Sequence, residues 1–269
     1  MKSIYLDCFS GVSGNMLGGA LLDAGVPHEY LAAEIGKMPV ASSYRMIEKR
    51  VVKRGVNACY FHVKTSGRSR QRGFDDVREI VQGSGLAEHL KERVIGVFSR
   101  LAAAEAKVQG IAVDKVRFHE VGAVDSIIEV AGVILGLEYL GIEHVRVSAL
   151  NVGAGFLKCR HGLMPVPAPT TAELLKEVPF YGGDIEGELV TPTGAALVVS
   201  LADSFGPFSL GFRMKQVAYG AGGMDLPIPN VLRLYVGEME RITDSHGGVK
   251  NCRDQYRRYE SPVLRACHG

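Results

Sequence analysis

The first residues with the chemistry of a binding site follow a strand-like apolar run near the start of the chain. Asp7 and Cys8 end this run, and a loop follows that consists of Ser10, Gly11, Val12, Ser13, Gly14 and Asn15. Open α/β sheets bind ligands at the carboxyl ends of their strands, and the N–H groups of a loop that opens a helix can hold a phosphate or a carboxylate. The loop matches neither the dinucleotide fingerprint nor the P-loop, so a tight structural turn explains its glycines equally well.

A second group of polar residues precedes a long apolar segment. His119 and Glu120 lie a few residues before Asp125, and Asp125 falls in the first turn of the helix predicted for the segment, where the helix dipole favours a negative charge. A helix cap and a hydrogen-bonded core histidine would be the ordinary explanation. Three ligand types at the start of one buried helix favour a site.

Cys159 and His161 offer a thiolate and an imidazole within one predicted loop. Such ligands suit nickel or zinc better than magnesium. One residue of each type does not specify a complete coordination sphere, and a single Cys-x-His pair is more often incidental.

Two further segments could bind anions. Thr191 and Thr193 flank a proline at the predicted start of a helix, although helix capping alone accounts for them. Arg68, Arg70 and Arg72 could grip phosphates or carboxylates, but a solvated loop is the default interpretation.

Strands and helices interleave along the chain and position these residues. Thr170 and Glu173 suggest a capping box for one helix. The periodicity predicts strands over residues 4–9, 44–53, 56–65, 145–148, 215–219 and 231–236, and helices over 16–24, 28–36, 74–81, 86–108, 124–140, from 170 onward, and 191–203. Because one strand pair is a hairpin, the prediction is a mixed α/β fold, with α+β as the alternative, in which helices cover a mixed sheet in layers.

Length, composition and charge indicate the domain organisation and exclude some classes of partner. With 269 residues and 46% hydrophobic content, the chain can form one large domain, predicted over residues 1–240, followed by an irregular tail over 241–269. The body before residue 241 carries 25 basic and 26 acidic residues, so it lacks the basic excess of a nucleic-acid binder. An apolar run of the ~20 residues that span a membrane is absent, and the five scattered cysteines suit reduced thiols. We therefore expect a cytoplasmic protein without nucleic-acid or membrane partners; a homo-oligomer is compatible with the sequence.

Several unusual strings, taken together, resemble one family over residues 3 to 238. They read YLDCFSGVSG (5–14, with Met16), FHEVGAVDS (118–126), HGLMPVPAP (161–169), ELVTPTGAA (188–196), YGAG (219–222) and DLPIPN (225–230). The family comprises the nickel insertion proteins that mature the nickel-pincer cofactor of lactate racemase.

The resemblance implies a nickel chelatase of the lyase class. Such an enzyme places Ni(II) between the two thiocarboxylate sulfurs of pyridinium-3,5-bisthiocarboxylic acid mononucleotide and consumes CTP with Mg or Mn. In the family a separate C-terminal domain binds the nucleotide, and nothing past Glu240 resembles it. We therefore expect a second-domain subunit to complete the enzyme. The alternative is a non-catalytic nickel-binding or assembly module; a phosphate-handling hydrolase would rest on the glycine loop alone.

The candidate residues are assigned the following roles. The expected catalytic residues are Asp7, His119, Glu120 and Asp125, and the expected metal ligands are Cys8, His119, Cys159 and His161. The expected cofactor-binding residues are Ser10, Gly11, Ser13, Gly14, Asn15, Thr191 and Thr193. Two positions depart from the family: Asn15 stands where an aspartate is usual, and the arginine-rich loop at 68–72 stands where histidines are usual.

If thiolate and imidazole ligands gather the metal, the double substitution Cys159→Ser with His161→Ala weakens Ni(II) binding. Stability should change little, because both residues lie in a predicted loop. Calorimetric titration with Ni(II), together with thermal melting, checks both expectations. Unchanged nickel affinity with unchanged melting would remove the pair from the site.

Overall fold

The computed structural model describes residues 1–40, 44–65, 72–118, 124–159, 162–209 and 211–239. The α-helices in this part of the chain are α1 (Gly14–Asp23), α2 (His28–Ile35), α3 (Phe74–Gln82), α4 (Glu88–Gln109), α5 (Val124–Tyr139), α6 (Pro169–Leu174) and α7 (Pro192–Leu201). The strands are β1 (Lys2–Asp7), β2 (Tyr44–Lys53), β3 (Val56–Thr65), β4 (Arg72–Gly73), β5 (Arg117–Phe118), β6 (His144–Val147), β7 (Leu150–Asn151), β8 (Gly153–Ala154), β9 (Phe156–Cys159), β10 (Gly162–Pro165), β11 (Phe180–Tyr181), β12 (Gly187–Glu188), β13 (Ser204–Phe205), β14 (Phe212–Ala221) and β15 (Val231–Met239).

A seven-stranded sheet organises the molecule, with the strand order β13-β6-β1-β15-β14-β3-β2. The central strand β1 runs parallel to β6 and antiparallel to β15, so the sheet is mixed. This arrangement confirms the predicted mixed α/β fold. None of the described helices is long and apolar enough to cross a membrane.

Strand alternation separates an inner face of the sheet from an outer one. Ile4 and Leu6 of β1 point inward with Leu234 of β15, where α1 and α5 cover them and form the main hydrophobic core. Asp7 and Arg233, which are cross-strand partners, lie on the opposite face. The inner face therefore forms the core, and the outer face carries polar and aromatic side chains.

Three helices begin at the same edge of the sheet, because of the chain direction in the parallel strands. Helix α1 follows β1, whereas α5 precedes β6 and α7 precedes β13. Strand β6 pairs in parallel with β1, and β13 pairs in parallel with β6, so all three strands run in the same direction. A helix that leads back to a parallel strand starts at the edge where the strands end. We call this the carboxyl edge: it gathers the starts of α1, α5 and α7 beside the end of β1.

One helix start differs from its prediction. The expected capping box at Thr170 and Glu173 is wrong: the N-cap is Ala168, without a side-chain cap bond, and Thr170 is buried inside α6. The fixed φ of Pro169 suits the first helical position and starts the helix one residue earlier. The carboxylate of Glu173 instead pairs with Lys107 and Lys176. By contrast, the predicted cap at Thr191 is confirmed.

The arginine-rich segment also departs from the default expectation of a solvated loop. Arg72 is buried and belongs to β4, which pairs with β5 so that Arg72 lies opposite Phe118. Arg68 and Arg70 lie outside the described residues. Tertiary packing therefore removes Arg72 from solvent.

Close contact between α1 and the sheet depends on a glycine in β14. A Cβ atom at Gly220 would lie 1.8 Å from the carbonyl oxygen of Met16, so Gly220→Ala should lower the free energy of unfolding by about 2 kcal/mol or more. Gly96 in the exposed part of α4 has open space around it, and Gly96→Ala should stabilise by up to about 1 kcal/mol. Urea unfolding of both variants measures the two changes. Equal effects would show that the approach of α1 to β14 is not constrained.

Candidate functional site

The loop between β1 and α1 is held by backbone hydrogen bonds to a neighbouring segment. The Gly11 N–H donates to the Cys8 carbonyl at 3.0 Å, and the Val12 N–H donates to the Leu189 carbonyl at 3.0 Å. In return, the Thr191 N–H donates to the Val12 carbonyl at 3.1 Å. The N–H groups of Gly11 and Val12 are thus used within the fold, which places any anion binding by this loop at its later residues.

The start of α7 packs against the start of α1. Thr191 caps α7 by accepting the Gly194 N–H at 3.1 Å, and a Cβ atom at Gly194 would lie 2.2 Å from the Val12 carbonyl oxygen. Thr193 is buried, and its methyl group lies 3.4 Å from the Cβ position of Gly14. The structure therefore brings together the two segments that sequence assigned to cofactor binding.

The remaining loop side chains have local partners. The Ser13 hydroxyl donates to Asn15 Oδ1 at 2.6 Å, across the first turn of α1. Ser10 is buried, and its hydroxyl has no hydrogen-bond partner in the described part of the chain. Asn15 thus takes part in the helix start as a neutral hydrogen-bond acceptor.

Helix α5 brings two acidic side chains to the starts of α1 and α7. Asp125 lies in its first turn and accepts the Ser126 N–H at 2.9 Å, and Glu129 follows one turn later. An Oε atom of Glu129 lies 2.6 Å from the position that a Cβ atom on Gly14 would occupy. We call the set of Gly14, Asp125, Glu129 and Thr193 the three-helix junction.

Glu129 was not among the predicted site residues. A carboxylate one turn after Asp125 in an otherwise apolar helix was the signal that could have found it. Burial raises the pKa of Glu129 to about 8, and the negative charge of Asp125 adds to this rise. Within the described residues, no basic side chain pairs with either carboxylate. The junction therefore holds the Asp125 carboxylate and a Glu129 carboxyl group that keeps its proton up to about pH 8, beside the positive ends of two helix dipoles.

Asp7 lies on the outer face of the sheet at the carboxyl edge. Arg233 donates both its Nε–H and an Nη2–H to Asp7 Oδ2, with an Nε–Oδ2 distance of 3.0 Å. The guanidinium carbon lies 5.5 Å from the ring centre of Phe9 and 5.2 Å from that of Tyr235. Burial and then the charge of Asp7 raise the pKa of Tyr181, which stands nearby. Asp7 is thus an ion-pair partner within an arginine and aromatic cluster.

The cysteines expected to bind metal lie in different environments. Cys8 is fully buried in the main core, and burial raises the pKa of its thiol far above the usual range. Metal binding by Cys8 would therefore require loss of a strongly held proton inside the core. Cys159 is half-buried in the β9–β10 hairpin. His119, Glu120 and His161 lie outside the described residues, and the residues that are described contain no group of three or more potential metal ligands.

The fold and the junction define a mixed α/β protein that gathers acidic oxygens and helix starts at one edge of its sheet. The model of the family described as nickel insertion protein matches residues 4–256, and the chain belongs to this family. No solved structure matches the chain.

Several relatives carry the name pyridinium-3,5-bisthiocarboxylic acid mononucleotide nickel insertion protein. The chain is 45% identical to the one from Desulfitobacterium hafniense, over 93% of its own length and 62% of the relative. The relative from Geobacillus kaustophilus is 43% identical, over 91% of this chain and 62% of its own. The relative from Clostridium kluyveri is 41% identical, over 90% of this chain and 63% of its own. The chain thus spans less than two thirds of the length of these relatives.

The raised pKa of Glu129 predicts a pH-dependent stability. The folded protein keeps the Glu129 proton up to about pH 8, whereas the unfolded chain loses it near 4.5, so the stability linked to this proton is complete below about pH 4.5 and is lost as the pH rises to about 8. Glu129→Gln, which is permanently neutral, should therefore exceed the wild type in stability at about pH 9, by on the order of a few kcal/mol.

Urea unfolding between about pH 5 and 9 measures this difference. Glu138→Gln is the matched control, because Glu138 lies on the same helix but is exposed and pairs with His89. The control should gain nothing at high pH. A Glu129→Gln curve parallel to that of the wild type would show that Glu129 is ionised in the folded protein throughout this range.

Proposed function

We propose that this chain acts in the insertion of Ni(II) into pyridinium-3,5-bisthiocarboxylic acid mononucleotide, the step that forms the nickel-pincer cofactor of lactate racemase. Membership of the nickel insertion family supports the metal, and the names of the relatives support the substrate. The structural observation that carries the proposal is the three-helix junction, where Asp125 and Glu129 meet without a basic partner in the described residues. Such a place suits a cation together with an anionic substrate.

In this proposal Ni(II) is cargo, and the junction is where the metal meets the substrate. The carboxylate of Asp125, and that of Glu129 once a cation displaces its proton, can bind a divalent cation, and His119 and Glu120 precede the same helix by a few residues in the sequence. Imidazole nitrogen raises the preference for nickel over magnesium. The starts of α1 and α7 favour negative charge and can attract the thiocarboxylate groups of the substrate.

The hairpin that carries Cys159, together with His161 two positions later in the sequence, is proposed to deliver the metal. A thiolate and an imidazole hold Ni(II) more firmly than carboxylates do. Transfer to the two thiocarboxylate sulfurs then replaces soft ligands by other soft ligands without a change of oxidation state. Asp7 enters the proposal through its ion pair with Arg233, and Cys8 would bind metal only after losing its proton.

CTP and its metal ion form a further part of the proposed reaction. We propose that CTP with Mg or Mn drives the insertion and binds to a second domain or subunit, because the chain spans 62% of the Desulfitobacterium relative. Free thiols at Cys8, Cys59 and Cys159 are compatible with a cytoplasmic setting. In such an assembly the chain is the metal-handling part of a nickel chelatase of the lyase class.

The same coverage favours a second candidate, a non-catalytic nickel-binding or assembly module. Such a module would bind Ni(II) and pass it on, and the insertion itself would take place on a separate subunit. The two candidates differ in where the substrate binds: a chelatase binds the pyridinium mononucleotide itself, whereas a storage module does not need to.

Nickel insertion in a reconstituted mixture tests the proposal. We expect this chain to bind CTP weakly and to form no product alone, because its Ser10–Asn15 loop lacks a P-loop lysine and its Gly11 and Val12 N–H groups are used. Product should appear when the unmatched portion of a relative is added with CTP, Ni(II) and Mg or Mn. Mass spectrometry of the nickel-containing mononucleotide measures the yield.

Two aspartate variants, measured in the same assay, test whether the reaction takes place at the three-helix junction. Asp125→Asn should lower the rate about tenfold or more, because a carboxylate ligand at the junction is lost. Asp114→Asn is the control, since Asp114 is exposed on the 3₁₀ turn Val113–Lys115. Tight CTP binding or full activity by the chain alone would contradict the division of labour, and an unchanged Asp125→Asn rate would contradict the role of the junction.

A further inference from the structure

Arg233 is held in one orientation on the outer face of the sheet. It lies on β15 directly between two cross-strand partners, Asp7 on β1 and Tyr219 on β14. Asp7 accepts two of its N–H groups, and the rings of Phe9 and Tyr235 lie beside the guanidinium plane. An arginine fixed in this way loses little conformational freedom when it binds a ligand.

The ion pair leaves part of the guanidinium available. Both N–H groups that reach Asp7 bond to the same oxygen, Oδ2, and use two of the five donors of the arginine. The side chain of Arg233 is 37% exposed. Solvent, or an anion in its place, therefore has access to the guanidinium beside a carboxylate that keeps it in position.

The ion pair of Arg233 and Asp7 lies at the carboxyl edge of the sheet. Asp7 is the last residue of β1, and the loop that leads to the three-helix junction starts directly after it. Tyr219 is the partner of Arg233 on the neighbouring strand β14. An anionic group bound here would leave the rest of its molecule at the edge where α1, α5 and α7 begin.

We propose that Arg233 binds the phosphate monoester of a pyridinium mononucleotide, with Asp7 as the residue that positions the guanidinium. This inference rests on the proposed function, which supplies the substrate class. Guanidinium groups form paired, charge-assisted hydrogen bonds with phosphate oxygens, and a doubly charged phosphate is a stronger partner than a carboxylate. The aromatic rings of Phe9 and Tyr235 lie beside the guanidinium and help to hold it in this orientation.

Calorimetric titration of the full chain with three probes separates the phosphate from the other groups of the substrate. Nicotinic acid mononucleotide carries a phosphate and a carboxylate, nicotinamide mononucleotide carries only the phosphate, and nicotinic acid riboside carries only the carboxylate. We expect Arg233→Ala to weaken binding of both mononucleotides at least about tenfold and to leave the binding of the riboside unchanged.

Two further variants control for charge and folding. Arg233→Lys keeps the charge and the partner of Asp7 but loses the paired geometry, so its affinity for both mononucleotides should fall between those of the wild type and Arg233→Ala. Arg50→Ala removes another arginine of the same sheet that pairs with an aspartate, Asp23, and should leave binding unchanged. Thermal melting of each variant reports folding, and the lysine variant carries the test if the alanine variant does not fold.

The results distinguish this inference from the proposed function. If the wild type binds the mononucleotides and the Arg233 variants bind them equally well, the phosphate site lies elsewhere and only this inference is overturned. If Arg233→Ala weakens binding of the riboside as much as that of the mononucleotides, Arg233 binds the carboxylate, and the inference is also overturned. If the wild type binds no pyridinium mononucleotide at all, the substrate in the proposed function fails as well.

Discussion

The close approach of three helix starts at one edge of the sheet is the constraint on which the site depends. Chain direction in the parallel strands brings α1, α5 and α7 to this edge, but ordinary side chains would keep them apart. Gly14 and Gly194 remove that obstacle, because a Cβ atom at either position would overlap Glu129 or the Val12 carbonyl. These two glycines therefore allow the helix starts, which the topology brings to one edge, to pack closely together.

The junction also explains why acidic side chains are tolerated there. Helix dipoles place partial positive charge at the starts of α1 and α7, and this charge favours nearby carboxylates. The compensation is incomplete at Glu129, because burial and Asp125 together raise its pKa to about 8. A carboxyl group that is costly to ionise in the folded protein becomes less costly when a cation arrives, which links the electrostatics of the junction to the proposed handling of Ni(II).

The outer face of the sheet carries a basic group, the Arg233 guanidinium, near the acidic side chains of the junction. Arg233 and Asp7 form an ion pair, and the rings of Phe9 and Tyr235 lie beside the guanidinium. The junction is acidic, and the outer face offers a guanidinium. An ionic substrate with negative groups and a metal cation needs both, and the carboxyl edge places them on either side of the end of β1.

Much of this protein follows from its sequence alone. Periodicity predicts the main helices and long strands, because each buries one apolar face, and the predicted mixed sheet is confirmed. The cap at Thr191 follows from a local hydrogen bond and a neighbouring proline, which need no distant partner. The unusual strings are enough to indicate the nickel insertion family, which the family model confirms.

Only the tertiary structure decides which of the chemical residues meet. Cys8 and Asp7 are adjacent in sequence, yet strand alternation sends one thiol into the core and one carboxylate to an arginine 226 positions away. Glu129 comes close to the start of α1 because Gly14 lets α1 approach α5, and no local sequence pattern predicts that proximity. Residue types and short-range periodicity are properties of the sequence, whereas burial, pKa and ion pairing depend on long-range packing, and so they are decided by the fold.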